Sequence, residues 1–148
     1  MDLFRIILQA HSEANGQLDR KERGARSADG KAKWAQRRMV NDHAYFVMLF
    51  AQLESLVDER CDKLVAGKKA GRHWKARRLW DSIDLDRLAF MQRVALLCEK
   101  GQAVYGKVRR YYGIRCEIAH GDSPLVGPIA LSMIVPDLFG IAAALKVR

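Results

Sequence analysis

The sequence predicts an all-α protein: a bundle of four or five helices closing on a short C-terminal helix. Apolar residues recur at three- and four-residue spacing through most of the chain. Period-two alternation is scarce, and no Asn-Gly or Asp-Gly turn lies between strand-like runs. At 148 residues and 49% hydrophobic content, the chain can bury one core, so a single domain over 1–148 is the expectation.

The elements follow in order. Residues 2–22 set Leu3, Ile7, Ala10, Ala14 and Leu18 on one helical face, with Asp2 as the N-cap. Residues 34–66 carry a longer pattern whose centre, Ala44 to Val57, is mostly apolar, as in the central helix of a bundle. A third helix is expected from near Asp84, capped by Ser82 or Asp84, with a stripe of Leu85, Leu88, Met91, Ala95 and Cys98 and a stop at Gly101. The fourth runs from Gln102 to Ala119 and ends at Gly121 and Pro124. In the tail, Pro136 suits the first turn of a last helix, Asp137 to Lys146. The stretch from Pro124 to Leu145 is almost long enough to span a bilayer, but its internal prolines, glycines and Asp137 favour a packed segment and no membrane insertion.

Charge narrows the partners. Lys and Arg number 26 against 17 Asp and Glu, a net +9 with a pI near 9.8, which points to a polyanion. Two basic runs, from Arg20 to Arg38 and from Lys63 to Arg78, lack apolar periodicity and read as loops or frayed helix ends. Trp34 lies in the first, and Trp74 and Trp80 lie in and beside the second. Cations hold phosphates and rings stack bases, so the pattern suits single-stranded nucleic acid. In the second run, Lys68, Lys69, Arg72, Trp74, Lys75, Arg77 and Arg78 are the candidate RNA-binding residues. The alternative is a solvated basic surface with tryptophans turned inward. Three cysteines without CxxC argue against a disulfide scaffold, and the absence of a leader-like N-terminus makes the cytoplasm the expected compartment.

Two charges project onto faces that should meet the core. At about 100° per residue, Glu54 falls among Val47, Phe50, Val57 and Cys61, opposite a polar stripe of Asn41, Tyr45, Gln52, Ser55, Glu59 and Asp62. Arg115 falls within the stripe of Val104, Val108, Tyr111 and Ile118. A carboxylate or guanidinium there is costly unless paired or wet. Opposite signs on two core faces imply proximity, as a site, a subunit interface or a structural ion pair.

Arg115 opens the string RCEIAHG, residues 115–121, which follows a YYG and places a histidine before glycine. Together with FVMLFAQLESLVDE, residues 46–59, this resembles the Rx4–6H signature and long central helix of the HEPN superfamily. The likeness covers roughly residues 40–140. It implies an all-α homodimer and a metal-independent endoribonuclease, often a toxin of a toxin–antitoxin or other defence system, with an antitoxin protein as a further partner. By that resemblance Arg115 and His120 are catalytic, and Glu54 occupies a position where several such families carry an acid. The chain departs at Cys116, since the residue after the arginine is usually polar.

On an ideal helix Arg115 and His120 point about 140° apart, so they share a site only if the helix ends between them and the cleft or if a two-fold axis brings two pairs together. Metal-free RNA cleavage needs a base for the 2′-hydroxyl, an acid for the 5′-oxygen and a cation for the phosphorane. Imidazole and guanidinium supply these. Cys116 and His120 also have metal-ligand spacing, and Cys61, Cys98 and His43 could complete a site, but no second CxxxH or CxxC supports one. Neither a metal nor a cofactor is therefore expected. Asp81, Asp84 and Asp86 read as acids at a helix start. Two other functions compete with the nuclease: a non-catalytic RNA- or nucleotide-binding bundle of the same fold, and a basic helical protein-interaction adaptor.

Overall fold

The computed structural model describes residues 2–121 and 126–146. Among them are six α-helices, where four or five were expected, one 3-10 turn and no strand; the all-α character is what the apolar spacing predicts. The helices are α1 (Asp2–Gly24), α2 (Ala28–Lys69), α3 (Trp74–Asp81), α4 (Phe90–Leu97), α5 (Ala103–Ala119) and α6 (Leu131–Ala144), and the 3-10 turn is Leu85–Arg87. No helix of the described residues is long and apolar enough to cross a membrane.

The residues group into two compact units, Met1–Gln52 with Tyr111–Val135 and Leu53–Arg110 with Pro136–Arg148. The first unit buries Ile7 of α1, Phe46, Leu49 and Phe50 of α2, Tyr111 of α5, and Leu131 and Ile134 of α6. Its rings pack tilted, Phe46 lying 6.0 Å from Phe50 and 6.3 Å from Tyr111. His43 is also buried there, and its Nε2 meets the Gly127 carbonyl at 2.7 Å. The second unit buries Leu53, Val57, Cys61 and Val65, one residue per turn of α2, with Val94, Val108, Leu138, Ile141 and Leu145. Arg93 reaches Asp58 at 2.5 Å, and Lys107 reaches Asp137 at 2.6 Å. Arg60 donates to the Ala142 carbonyl, which ties α2 to α6 within this unit.

The basic runs are mostly helical, interrupted by connections at residues 25–27 and 70–73. Residues 20–24 close α1, and α2 begins at Ala28, immediately after a break at residues 25–27 and well before the expected start at Trp34. Alanine, lysine, arginine and glutamine are strong helix formers even without an apolar stripe. Ser27 caps α2, its Oγ accepting from Gly30 N at 3.0 Å. Arg38 pairs with Asp19 at 3.3 Å and Glu22 at 2.9 Å, and so links α2 to α1. The second run likewise completes α2 and forms α3, an eight-residue helix with no buried residue.

The third expected helix is shorter and starts later. Asp84 caps the 3-10 turn instead, accepting from Asp86 N, and Ser82 ends α3 with its Oγ donating to the Leu79 carbonyl at 2.7 Å. The α4 start is fixed by Gln92, whose side-chain carbonyl accepts from Ala89 N at 2.8 Å. Cys98 turns extended and ends α4 before Gly101. Pro136 is not a first-turn residue: α6 begins at Leu131 and carries it internally, giving up one helical hydrogen bond. The Asp2 side chain and Pro124, expected to cap α1 and to help stop α5, lie outside the described residues.

Candidate functional site

Arg115 and His120 are carried by α5 into the first unit. Arg115 is half-buried and its Nε is shielded from solvent, on the same face as buried Val108 and Tyr111. His120 stands one residue past the end of α5 and is exposed. Its backbone N–H still donates to the Cys116 carbonyl at 2.9 Å, so helical geometry carries through to the histidine. Only at Gly121, with φ +89°, does the chain turn left-handed, a conformation for which glycine is suited. The two side chains therefore leave one helix on different sides, one inward and one into water. Gly121 provides the expected helix end, but His120 keeps helical backbone bonding and is not freed to turn toward Arg115.

Glu54 belongs to α2 in the second unit. It is half-buried, on the side of the helix that buries Phe50, Val57 and Cys61, while Ser55, Glu59 and Asp62 of the opposite stripe are exposed. Glu59 pairs with Lys63, which lowers its carboxyl below the usual range.

The candidate RNA-binding residues all belong to the second unit. Lys68 and Lys69 end α2, Arg72 lies in the connection, and Trp74, Lys75, Arg77 and Arg78 ride on α3. Trp74 is 59% exposed, and the Arg78 guanidinium lies 5.5 Å from its ring centroid. Arg77 is partly neutralised by Asp81 at 3.2 Å, and Lys69 reaches the Ile83 carbonyl at 3.5 Å. Lys68, Arg72, Lys75 and Arg78 are exposed.

Sequence reasoning missed a polar cluster between α1 and α2. His11 Nε2 lies 2.6 Å from Asp42 Oδ1, and Asn15 Nδ2 donates to the same oxygen at 3.0 Å. Asn41 Nδ2 donates to Asn15 Oδ1 at 3.3 Å, and Tyr45 meets the His11 ring edge-on at 5.1 Å. With a carboxylate oxygen at 2.6 Å, His11 Nε2 is assigned as the donor of this hydrogen bond. The available signal was local: His11 and Asn15 are one turn apart, as are Asn41 and Tyr45, but nothing in the sequence pairs the two helices. The side chains of His11 and Asp42 are 15% and 16% exposed, so the pair is largely shielded from water. Asp42→Ala is expected to destabilise the fold by about 2 kcal/mol, because it leaves two donors unsatisfied, measured by urea denaturation. A change under about 0.5 kcal/mol would show that solvent takes over both donors.

Three of the residues weighed as metal ligands, His43, Cys61 and Cys98, make other contacts. His43 is bonded to Gly127, and the Cys61 thiol donates to the Arg93 carbonyl at 3.3 Å. Burial, with Asp58 nearby, pushes Cys61 up to about 11, which keeps it an unreactive thiol at neutral pH. Cys98 is raised by burial as well. No group of three or more His, Cys, Asp or Glu suited to a metal ion occurs among the described residues. The chain matches no family model, and neither a curated protein nor a solved structure shows significant similarity to it.

Proposed function

We propose that the protein is a metal-independent endoribonuclease of HEPN-like type, of the toxin or defence class, acting as a homodimer. The observation that supports it is the division of labour on α5: Arg115 is half-buried with a shielded Nε, and His120, five residues later, is exposed at the helix end. A guanidinium held on an inner face offers a fixed fork of donors to a phosphate, whereas an imidazole at the rim can exchange protons with substrate and water. Because the two leave the helix on different sides, a two-fold axis that joins one subunit's histidine to its mate's arginine is the economical way to complete the site.

In this mechanism His120 takes the proton of the RNA 2′-hydroxyl. The 2′-oxygen attacks the adjacent phosphorus, Arg115 stabilises the phosphorane charge, and the 5′-oxygen departs with a proton from the second histidine. Glu54 is the acid of the set that the resemblance implies. The α3 surface binds the strand, and an antitoxin protein would restrain the enzyme. Purified protein is expected to cleave RNA in EDTA, leaving 2′,3′-cyclic phosphate and 5′-hydroxyl ends. It should bind a DNA analogue without cutting it, and scatter light at about twice the 16.8 kDa chain mass. Cleavage of DNA, a requirement for added divalent metal, or a strict monomer would overturn the proposal. RNA binding without cleavage would select a non-catalytic binding bundle, the reading favoured by Cys116, whose thiol is a weak hydrogen-bonding group beside the catalytic arginine.

A further inference from the structure

The largest block of charge outside α3 lies where α1 turns into α2. Between Arg20 and Arg38 there are eight basic residues and two acidic ones, most of the chain's net +9. The structure sorts them. Arg23 and Arg38 are spent on Asp19 and Glu22. Arg20, Lys21, Arg26, Lys31, Lys33 and Arg37 form no ion pair among the described residues, and all six are exposed. Six like charges at one helix turn repel one another, and a fold that gathers them gains when a polyanion arrives.

Trp34 fixes part of this array. Lys21 Nζ lies 4.9 Å from the Trp34 ring centroid and the Arg37 guanidinium 4.6 Å, one cation from each helix. The ring is half-buried under them. A tryptophan already covered by two cations is no stacking platform for a base; it is a post that holds two positive groups at fixed positions. That separates this surface from α3, where Trp74 is 59% exposed. The hairpin also lacks an apolar wedge: none of the exposed large hydrophobic side chains falls between residues 18 and 38. Surfaces that bind anionic membranes combine basic residues with inserted apolar ones, so the composition here fits a phosphate backbone rather than a bilayer.

We propose that the α1–α2 hairpin, through Arg20, Lys21, Arg26, Lys31, Lys33 and Arg37 set around Trp34, is a second RNA-binding site that grips the phosphate backbone without reading bases. It rests on the RNA reading above and adds a contact distinct from α3. Bases are read or stacked at α3, and the hairpin supplies sequence-independent affinity.

The test is the triple variant Arg26→Gln, Lys31→Gln, Lys33→Gln in the full chain. All three side chains are exposed and pair with no acid among the described residues, so folding is expected to be unchanged by circular dichroism. Binding of a fluorescent single-stranded RNA is measured by anisotropy across a salt series. Each lost phosphate contact lowers the slope of log K against log salt by about 0.7, so the triple variant should lose about 2 from that slope and bind on the order of 10-fold more weakly at low salt. The loss should be equal for poly(U) and poly(A). An unchanged slope and affinity would overturn the proposal. So would a variant that keeps RNA affinity but loses binding to phosphatidylserine vesicles, which would make the hairpin a lipid contact. Cleavage in EDTA is scored in parallel. A wild type that binds with the full slope but never cuts removes the nuclease reading and leaves this site standing. A triple variant that cuts and binds like wild type removes this site alone.

Discussion

His120→Ala is expected to lose RNA cleavage by a factor on the order of 10² or more while retaining fold and RNA binding. The imidazole is exposed beyond the last residue of α5, so its removal opens no cavity. The hydrogen bond from His120 N to the Cys116 carbonyl is a backbone bond that alanine makes equally. Thermal stability should therefore match wild type within about 2 °C, as for a surface substitution. The salt dependence of binding should be unchanged because the basic surfaces supply it. Single-turnover cleavage in EDTA measures the loss. Imidazole added to the buffer should restore part of the rate, since the vacated position is open to solvent. A variant that cuts at the wild-type rate would remove His120 from the chemistry, whatever the fold of the chain.

The sequence told most where a physical signal was local. The ends of α1 and α5 fall close to expectation, because an apolar stripe defines the body of each and Gly121 the stop of the second. The burial of Arg115 and Glu54 was legible for the same reason: a projection at about 100° per residue places a residue on a face without knowledge of what covers it. Helix made of basic, alanine-rich segments was not legible by periodicity. The start of α2 and the whole of α3 have charged exposed faces, and their stability comes from propensity, the Ser27 cap and pairs such as Arg38 with Asp19 and Glu22. Asp84 is a cap by chemistry, but the turn it caps is 3-10, and Gln92 sets the true helix start at Phe90. The His11–Asp42 cluster joins positions 31 residues apart, and only the pairing of α1 with α2 creates it. Trp34 and Trp74 look alike in sequence, each amid cations, yet one is half-buried under Lys21 and Arg37 and the other, with Arg78 alone against its ring, is exposed.

Arg115 separates a structural from a chemical role when two substitutions are compared. Its position between buried Tyr111 and half-buried Ile118, with Nε shielded from solvent, means that the side chain packs as well as carrying a charge. Arg115→Ala removes stem and charge together. It is expected to cost about 1–3 kcal/mol of stability and to reduce cleavage by a factor on the order of 10²–10³, the range for removing a donor aimed at developing negative charge. By itself that result would not distinguish the roles. Arg115→Lys keeps a charge and most of the stem but replaces a planar fork with a single ammonium. If the fork stabilises the phosphorane, the lysine variant recovers most of the stability and little of the rate, because a point charge cannot hold two phosphate oxygens in a fixed plane. If Arg115 only fixes helix packing, rate and stability recover together. Urea denaturation and single-turnover cleavage at saturating protein, run on the same preparations, read the two quantities separately. A lysine variant with wild-type rate would assign Arg115 to packing and leave the site without its cation.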